Sequence, residues 1–277
     1  MLINILGCGV MGRQIASLCV LMGCDVVVWV RRDVARHTEE LERQLQRDRR
    51  VLRRFITAEG SFMVHDDFGA LKPHATLEVL IEDLEVKRQV MARLPFDVRR
   101  VLLMTNTSSY LPTDIHDRAM GLHFFNPVAF LRCVEVCAFD EQLTGEAASF
   151  LEVLRRFGFE RIRTAPHRGY IANTLLFQEI AHALQLIDRF QYSTRTIDTV
   201  QRYTGRTTSL FDIIDVIGVD VTKRILDNLR EHHPDLPVSP LLEHALLQGV
   251  YGNKNQTSIR TVLDHVETRP AAAGAST

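Results

Sequence analysis

The chain has 277 residues, 46% of them apolar, which is enough for one large or two medium-sized domains. Its 33 basic and 34 acidic residues nearly cancel, which gives no support to a role in binding nucleic acid. No apolar run approaches the roughly 18–20 residues of a membrane span, so no membrane association is expected. The N-terminus shows no signal-peptide pattern, and five cysteines without C-x-x-C spacing are typical of reduced thiols, so we expect a cytoplasmic protein.

The first thirty residues predict the opening of a dinucleotide-binding fold. Residues 2–6 predict a short buried strand, a glycine turn and a helix follow, and residues 25–30 predict a second, nearly all-apolar strand. The turn matches G-x-G-x-x-G over Gly7, Cys8, Gly9, Val10, Met11 and Gly12. The first glycine permits the tight turn, the second lets the backbone approach a pyrophosphate, and the third lets helix and strand pack closely. Because the match lies between a strand and a helix, we expect these residues to bind NAD or NADP at the helix N-terminus.

The residues after the second strand bear on the choice of nicotinamide cofactor. An NAD site usually has an acidic residue here, which holds the ribose hydroxyls. This chain has Arg31 and Arg32 instead, and a guanidinium can pair bidentately with a 2′-phosphate. We interpret the two arginines as favouring NADP or the use of both cofactors. The alternative is that both are solvated surface residues.

The rest of the chain predicts more α/β structure and then helices alone. Further predicted elements are a long exposed helix or helix pair at 33–56, strands at 76–81, 101–105 and 161–164, and helices at 84–94 and 144–157. From Tyr170 onward the apolar residues recur at helical spacing. We therefore predict a Rossmann-type doubly wound α/β domain over 1–167 and an all-α C-terminal domain over 168–277. The small, polar end of the chain at 269–277 is expected to be disordered.

A histidine and a glutamate are the candidates for proton transfer. His123 lies in the run 121–127, which we expect to be a loop, and Glu135 lies on a predicted strand that also carries Cys133 and Cys137 on the same face. An imidazole titrates near neutral pH and suits removal of a hydroxyl proton as hydride leaves, while a carboxylate on its other nitrogen fixes the tautomer. The alternative is a buried pair that serves structure only. No metal site is expected, because cysteines four apart on a strand lie about 13 Å from each other.

The polar run Thr105–Ser109 directly follows a predicted strand. Polar residues at the carboxyl end of a parallel strand line the crevice where ligands bind in doubly wound sheets. The alternative is an ordinary turn or a helix cap.

Taken together, these motifs resemble the L-3-hydroxyacyl-CoA dehydrogenase (3-hydroxybutyryl-CoA dehydrogenase) family over nearly the full chain. The matching segments are GCGVMG at 7–12, IEDLEVK at 81–87, NTSS at 106–109, GLHFFNPV at 121–128, CVEV at 133–136 and RGYIAN at 168–173. The resemblance implies that His123 is the general base and Glu135 its partner. It further implies that Ser108 and Asn173 act on the reacting oxygen or around the histidine, and that the cofactor is approached by Glu82, Lys87, Asn106 and Asn126. The reaction implied is reversible oxidation of an L-3-hydroxyacyl thioester to a 3-ketoacyl thioester, with a helical domain that binds substrate and forms a homodimer.

Two departures from the family pattern lie in the helical domain. The stretch 209–212 reads Ser-Leu-Phe-Asp where the family often has Gly-Pro-Phe-Glu, and 252–259 lacks the glycines and the Gly-Phe-Tyr ending that the family often has. A third feature is the arginine-rich segment 43–54, which falls where the family has a helical arm that approaches coenzyme A. We interpret Arg49 and Arg53 as candidate docking residues for coenzyme A or, alternatively, for an acidic acyl carrier protein. In the alternative, the same chemistry acts on a carrier-bound substrate, as in related dehydrogenases that make extender units for secondary metabolism. The other interpretation is a solvated helix face.

Two other classes remain open on the sequence. A non-catalytic, dinucleotide-binding or structural descendant would be expected to have lost the histidine, glutamate or serine, and all three are present. Related dehydrogenases instead use a catalytic lysine in the helical domain, for which Lys254 is the candidate here.

Overall fold

A computed structural model of the protein describes residues 1–265, so the tail at 269–277, for which the sequence predicts disorder, lies outside the described residues. The chain divides into two compact units, Met1–Ile171 and Ala172–Thr277. The sequence puts the division near residue 167. Among the helices of residues 1–265, none combines the length and apolar character needed to cross a membrane.

The first unit is built on one eight-stranded sheet. Its strands are β1 (Leu2–Leu6), β2 (Asp25–Trp29), β3 (Phe62–His65), β4 (Ala75–Glu78), β5 (Leu103–Thr105), β6 (Met120–Phe124), β7 (Cys133–Cys137) and β8 (Glu160–Thr164). They lie in the order β3-β2-β1-β4-β5-β6-β7-β8, and every neighbouring pair is parallel except β6 with β7. The chain leaves β1 first toward β2 and later returns to its other side as β4. This reversal is the switch point at which doubly wound sheets bind ligands.

Helices connect these strands. They are α1 (Val10–Leu21), α2 (Val34–Leu52), α3 (Leu84–Ala92), α4 (Pro112–Ile115), α5 (Val128–Leu131) and α6 (Gly145–Arg156). All four residues of β4 are buried, which requires cover on both faces of the sheet. Successive β1 side chains accordingly enter different hydrophobic clusters, Ile5 in one and Leu6 in the other.

The second unit is helical throughout its described residues. The long helix α7 (Tyr170–Phe190) begins in the first unit, and it is followed by α8 (Thr194–Tyr203), α9 (Leu210–Ile217), α10 (Val219–Arg230), α11 (Leu241–Leu247) and α12 (Arg260–Leu263). The unit has its own hydrophobic core, in which Phe211 and Ile214 of α9 are fully buried. The predicted division into an α/β part and an all-α part is confirmed.

Two local predictions are wrong. The strand β3 is absent from the predicted elements, because its four residues are too short to show an alternating pattern. The run 121–127, expected to be a loop, supplies most of the fully buried strand β6. A histidine and a glycine interrupt that strand's apolar sequence, and this hides it.

Candidate active site

His123 and Glu135 face each other across the antiparallel pair β6–β7. The register places them directly opposite, with Nδ1 of the imidazole 2.8 Å from Oε2 of the carboxylate. His123 is 5% exposed and Glu135 1%. Oε1 of the carboxylate accepts the backbone N–H of Ile171 at 2.9 Å. An arrangement of this kind favours the tautomer with the proton on Nδ1, so that Nε2 is the basic nitrogen.

The glycine turn fits a dinucleotide. Gly7 has φ +107°, a conformation that side chains rarely adopt, and a Cβ on Gly12 would overlap the Gly7 carbonyl oxygen. A Cβ on Gly9 would meet nothing within 4 Å, so the backbone is open to a close approach there. Gly9 is the N-cap of α1, and neither a side-chain cap nor an acidic residue occupies the first turn, where Val10 and Met11 lie. The helix N-terminus therefore offers N–H groups and a positive dipole end to a pyrophosphate.

Arg31 and Arg32 are both exposed and lie shortly after the end of β2. Asp33 has a left-handed φ of +62°, and its Oδ2 lies 3.7 Å from Nε of Arg32. In the described part of the chain, Arg31 has no ion pair, which leaves its guanidinium open to solvent or to a bound anion.

A buried ionic cluster orders the polar run after β5. Nζ of Lys87 lies 2.8 Å from Oε1 of Glu78 and 3.2 Å from Oε2 of Glu82, and Lys87 is 1% exposed. Oε1 of Glu82 accepts from the hydroxyls of Thr107 and Ser109 and from the backbone N–H groups of Ser108 and Ser109. Burial would raise the pKa of the Glu82 carboxyl, but Lys87 and these hydrogen bonds outweigh it and hold that pKa below its usual value. Burial likewise opposes the charge on Lys87, but the two carboxylates raise its pKa above the usual value.

This cluster gives two family-implied residues contacts within the protein. Through them Glu82 and Lys87 hold the loop that carries Ser108, and their approach to the cofactor stays a prediction. Glu78, which is not among the residues predicted from the sequence, is fully buried, and its Oε2 accepts from the hydroxyl of Thr105 at 2.6 Å. Its signal in the sequence is a carboxylate inside the apolar run 75–81, since a buried charge requires a partner.

Two asparagines tie the ends of strands together. Oδ1 of Asn106 accepts the backbone N–H of Phe124 at 3.0 Å, which joins the loop after β5 to β6. Asn126 is exposed, and its Oδ1 accepts from Nε2 of Gln14 at 2.8 Å. Oε1 of Gln14 in turn accepts the N–H of Val128. A single buried glutamine on α1 thus fixes the turn after β6 to the helix of the glycine motif, which sequence spacing does not reveal.

A groove of about 530 Å³ borders the turn after β6. Its lining includes Arg47, Asp48, Arg50, Val51, Asn126 and Phe130. The two docking residues predicted from the sequence are not part of it. Arg49 instead makes a bidentate pair with Glu59, at 2.8 and 2.6 Å, and Arg53 is exposed beyond the end of α2.

Two predicted residues belong to the second unit. Asn173 lies near the start of α7. Lys254, the alternative catalytic lysine, has its Nζ 2.6 and 2.8 Å from the two carboxylate oxygens of Asp220.

The departure at 209–212 is part of a polar cluster. Ser209 caps α9 by accepting the N–H of Phe211, and the guanidinium of Arg260 reaches Ser209, Asp198 and Asp212 at 2.7–2.9 Å. These residues serve contacts within the helical unit.

Comparison with known proteins assigns both parts of the chain. Residues 2–165 match the family model described as 3-hydroxyacyl-CoA dehydrogenase, NAD binding domain, and residues 169–261 match 3-hydroxyacyl-CoA dehydrogenase, C-terminal domain. The chain belongs to the 3-hydroxyacyl-CoA dehydrogenase family. It is therefore an oxidoreductase with an NAD-binding domain.

Similar proteins share the whole length. The mitochondrial hydroxyacyl-coenzyme A dehydrogenase of Rattus norvegicus is 28% identical over 91% of this chain and 88% of its own. The 3-hydroxybutyryl-CoA dehydrogenase of Mycobacterium tuberculosis is 26% identical over 91% and 95%. The crystal structure of (S)-3-hydroxybutyryl-CoA dehydrogenase PaaH1 from Ralstonia eutropha superposes with a TM-score of 0.76 at 21% identity, covering 93% of this chain and 97% of that one, which shows a shared fold.

Proposed function

We propose that this protein interconverts L-3-hydroxyacyl and 3-ketoacyl thioesters by hydride transfer, with His123 as the general base. The observation that carries the proposal is the buried hydrogen bond between Nδ1 of His123 and Glu135, set by the β6–β7 register. The same domain also carries the glycine turn and the ordered loop at Ser108. These two features favour a catalytic role for the pair over a purely structural one.

The proton transfer follows from this pair. The glycine turn at residues 7–12 would hold a nicotinamide cofactor, which would supply the acceptor for the hydride of the substrate carbon. Glu135 holds the Nδ1 proton and orients the ring, so Nε2 of His123 takes the proton of the substrate hydroxyl. The imidazolium that forms is stabilised by the carboxylate at 2.8 Å. Ser108, on the loop held by Glu82, and Asn173 are proposed to bind the reacting oxygen or to hold the surroundings of the histidine.

The test is kinetic. His123→Gln should lower kcat by about 10²–10⁴-fold, and Glu135→Gln should cause a loss that does not add to it, because both act through one ring. NAD binding should be unchanged in both variants. His182→Gln, an exposed histidine, is the control. Full activity of His123→Gln would contradict the proposal and favour the lysine-dependent class, in which Lys254→Met would instead abolish turnover.

We propose that Arg31 and Arg32 let the enzyme use NADP, alone or in addition to NAD. The support is the missing acid and the open guanidinium of Arg31. Trp29 is the only tryptophan of the chain and ends the strand before the two arginines, so its fluorescence can report binding. Arg31→Ala/Arg32→Ala should weaken NADP binding by about tenfold or more and leave NAD binding unchanged. Tighter binding of NAD than of NADP by the unaltered protein would contradict this.

We propose that the thioester carrier, coenzyme A or an acyl carrier protein, docks along the arginine-rich helix α2. The groove puts Arg47 and Arg50 beside apolar Val51 and Phe130, which suits a carrier with phosphates and an apolar arm. Arg47→Glu/Arg50→Glu should raise KM by about three- to tenfold.

Arg49→Glu/Arg53→Glu tests the surface predicted from the sequence, and its effect should be smaller because Glu59 already pairs with Arg49. Comparing the same acyl group on coenzyme A and on a carrier protein identifies the carrier; unchanged KM in both double variants would exclude docking on α2.

We further propose a cytoplasmic homodimer. All five cysteines are free thiols, as expected in a reducing compartment. Exposed apolar side chains of the helical unit, among them Tyr203 at 88% and Leu247 at 79%, support association of two chains. Light scattering that gives the mass of one chain would contradict the dimer.

A further inference from the structure

An aromatic ring covers the imidazole of the His–Glu pair. Tyr170 stacks on His123 with 5.0 Å between ring centroids and 26° between planes. Phe125 also approaches His123, at 5.3 Å, but its plane is tilted by 52°. Tyr170 is 1% exposed, so its ring is a fixed part of the interior.

The backbone of the same residue serves the carboxylate. Tyr170 has φ +52°, a left-handed conformation that residues other than glycine rarely adopt. The chain enters α7 at this point, and the N–H of the next residue, Ile171, is donated to Oε1 of Glu135 at 2.9 Å. One residue therefore contacts the histidine through its ring and orients the donor to the glutamate through its backbone.

The phenol hydroxyl has no part in this arrangement. It lies against Gly121, where a Cβ would overlap it, and no hydrogen-bond partner for it occurs within residues 1–265. Burial raises the pKa of the phenol far above its usual value, so the group stays neutral. A change of Tyr170 to Phe thus removes the hydroxyl and keeps every contact that matters to the pair.

We propose that Tyr170 is a positioning residue for the His–Glu pair: its ring fixes the plane of the His123 imidazole, and its left-handed backbone directs the Ile171 N–H to Glu135. This inference rests on the proposed role of His123 as base. The ring limits rotation of the imidazole about its side-chain bonds, and the amide limits movement of the carboxylate. A general base must lie within hydrogen-bond reach of the proton it takes, and a misplacement of about 1 Å can lower the rate by about 10²-fold.

The experiment compares Tyr170→Leu, which removes the ring, with Tyr170→Phe, which keeps it. We expect kcat to fall by about 10- to 100-fold in the Leu variant and to stay within about twofold in the Phe variant. The dissociation constant for NAD should be unchanged in both, because the glycine turn is untouched. If the Leu variant does not fold, Tyr170→Met fills more of the same volume without a planar ring and carries the same expectation.

A positioning role also predicts two signatures that general destabilisation does not. In a Glu135→Gln background, Tyr170→Leu should cost less than about threefold, because the ring orientation is already lost. The Nδ1 proton resonance of His123 should be sharp in the protein and in Tyr170→Phe, and broadened or lost in Tyr170→Leu. Equal losses of kcat with and without Glu135, or a full-activity Tyr170→Leu, would overturn the inference. If His123→Gln retains activity, the proposed function itself has failed; an inactive His123→Gln with a fully active Tyr170→Leu overturns only the role of Tyr170.

Discussion

Glu135 is almost completely buried, which is costly for a carboxylate unless its oxygens are hydrogen-bonded. The two oxygens have different partners, His123 on Oε2 and the N–H of Ile171 on Oε1. Loss of either hydrogen bond therefore affects two properties, the chemistry of the His123 imidazole and the stability of the buried Glu135 carboxylate. A substitution that changes only one of these properties is more informative than one that changes both.

At His123 the choice of substituent should decide the effect on stability. His123→Leu removes the imidazole that pairs with Oε2 of Glu135, and we expect a loss of about 3 kcal/mol in the free energy of unfolding. His123→Gln can donate from its side-chain amide to the same oxygen, so its loss should stay below about 1.5 kcal/mol. Urea unfolding measures both. Equal losses in the two variants would mean that the hydrogen bond to Glu135 contributes little to stability, although both variants should lack the general base.

At the scale of elements, the end of β4 and the start of α3 act together through charge. Glu78, Glu82 and Lys87 put two carboxylates and one ammonium in the interior, and the hydroxyls and N–H groups of the loop after β5 supply the remaining compensation. The helix α3 thus helps to order the loop that carries Ser108, because Lys87 pairs with Glu82 and Glu82 holds the loop. This effect requires no contact between α3 and a substrate. The order of the loop depends on the ionised state of Glu82.

Lys87→Met should reveal this dependence as a change in acid stability. In the protein the pKa of Glu82 is below its usual 4.5, so its contribution to stability is present above that pH and is lost as the pH falls through the folded-state pKa. Without Lys87, only the hydrogen bonds of the loop oppose burial, which is the largest influence on that pKa. We therefore expect the pKa to rise, and acidification from neutral pH should then relieve the variant.

We expect the variant to lose about 3–5 kcal/mol at pH 7 and less at pH 4.5. Urea unfolding at several pH values tests this, with Lys72→Met, an exposed lysine, as the control. A loss of stability that is the same at both pH values would show that Lys87 does not stabilise the protein through its charge.

For the whole molecule, the sequence predicts those elements whose structure is determined by residues close together in the chain. The glycine turn, the apolar strands β1 and β2 and the helical spacing after Tyr170 each depend on neighbouring residues, and these predictions are confirmed. The pairing of His123 with Glu135 follows from a strand face, but the sequence around His123 predicts a loop where the structure has the strand β6. Contacts between distant segments, such as Gln14 with Asn126 or Tyr170 with His123, depend on packing that no spacing rule encodes. For the same reason, the sequence does not show that Arg47 and Arg50, rather than Arg49 and Arg53, line the groove.

The two units have separate hydrophobic cores, and this predicts how damage to one affects the other. Phe211 is fully buried in the core of the helical unit, and Phe211→Ala should destabilise that unit by about 3–5 kcal/mol. Val216, on the same helix but 62% exposed, is the matched control, and Val216→Ala should change stability by less than about 0.5 kcal/mol. Amide hydrogen exchange should speed up throughout α9 and α10 in Phe211→Ala while the amides of β1 and β4 keep their protection, because their cover comes from the first unit. Equal loss of protection in β1 and α9 would mean that the chain unfolds as a single cooperative body despite its two cores.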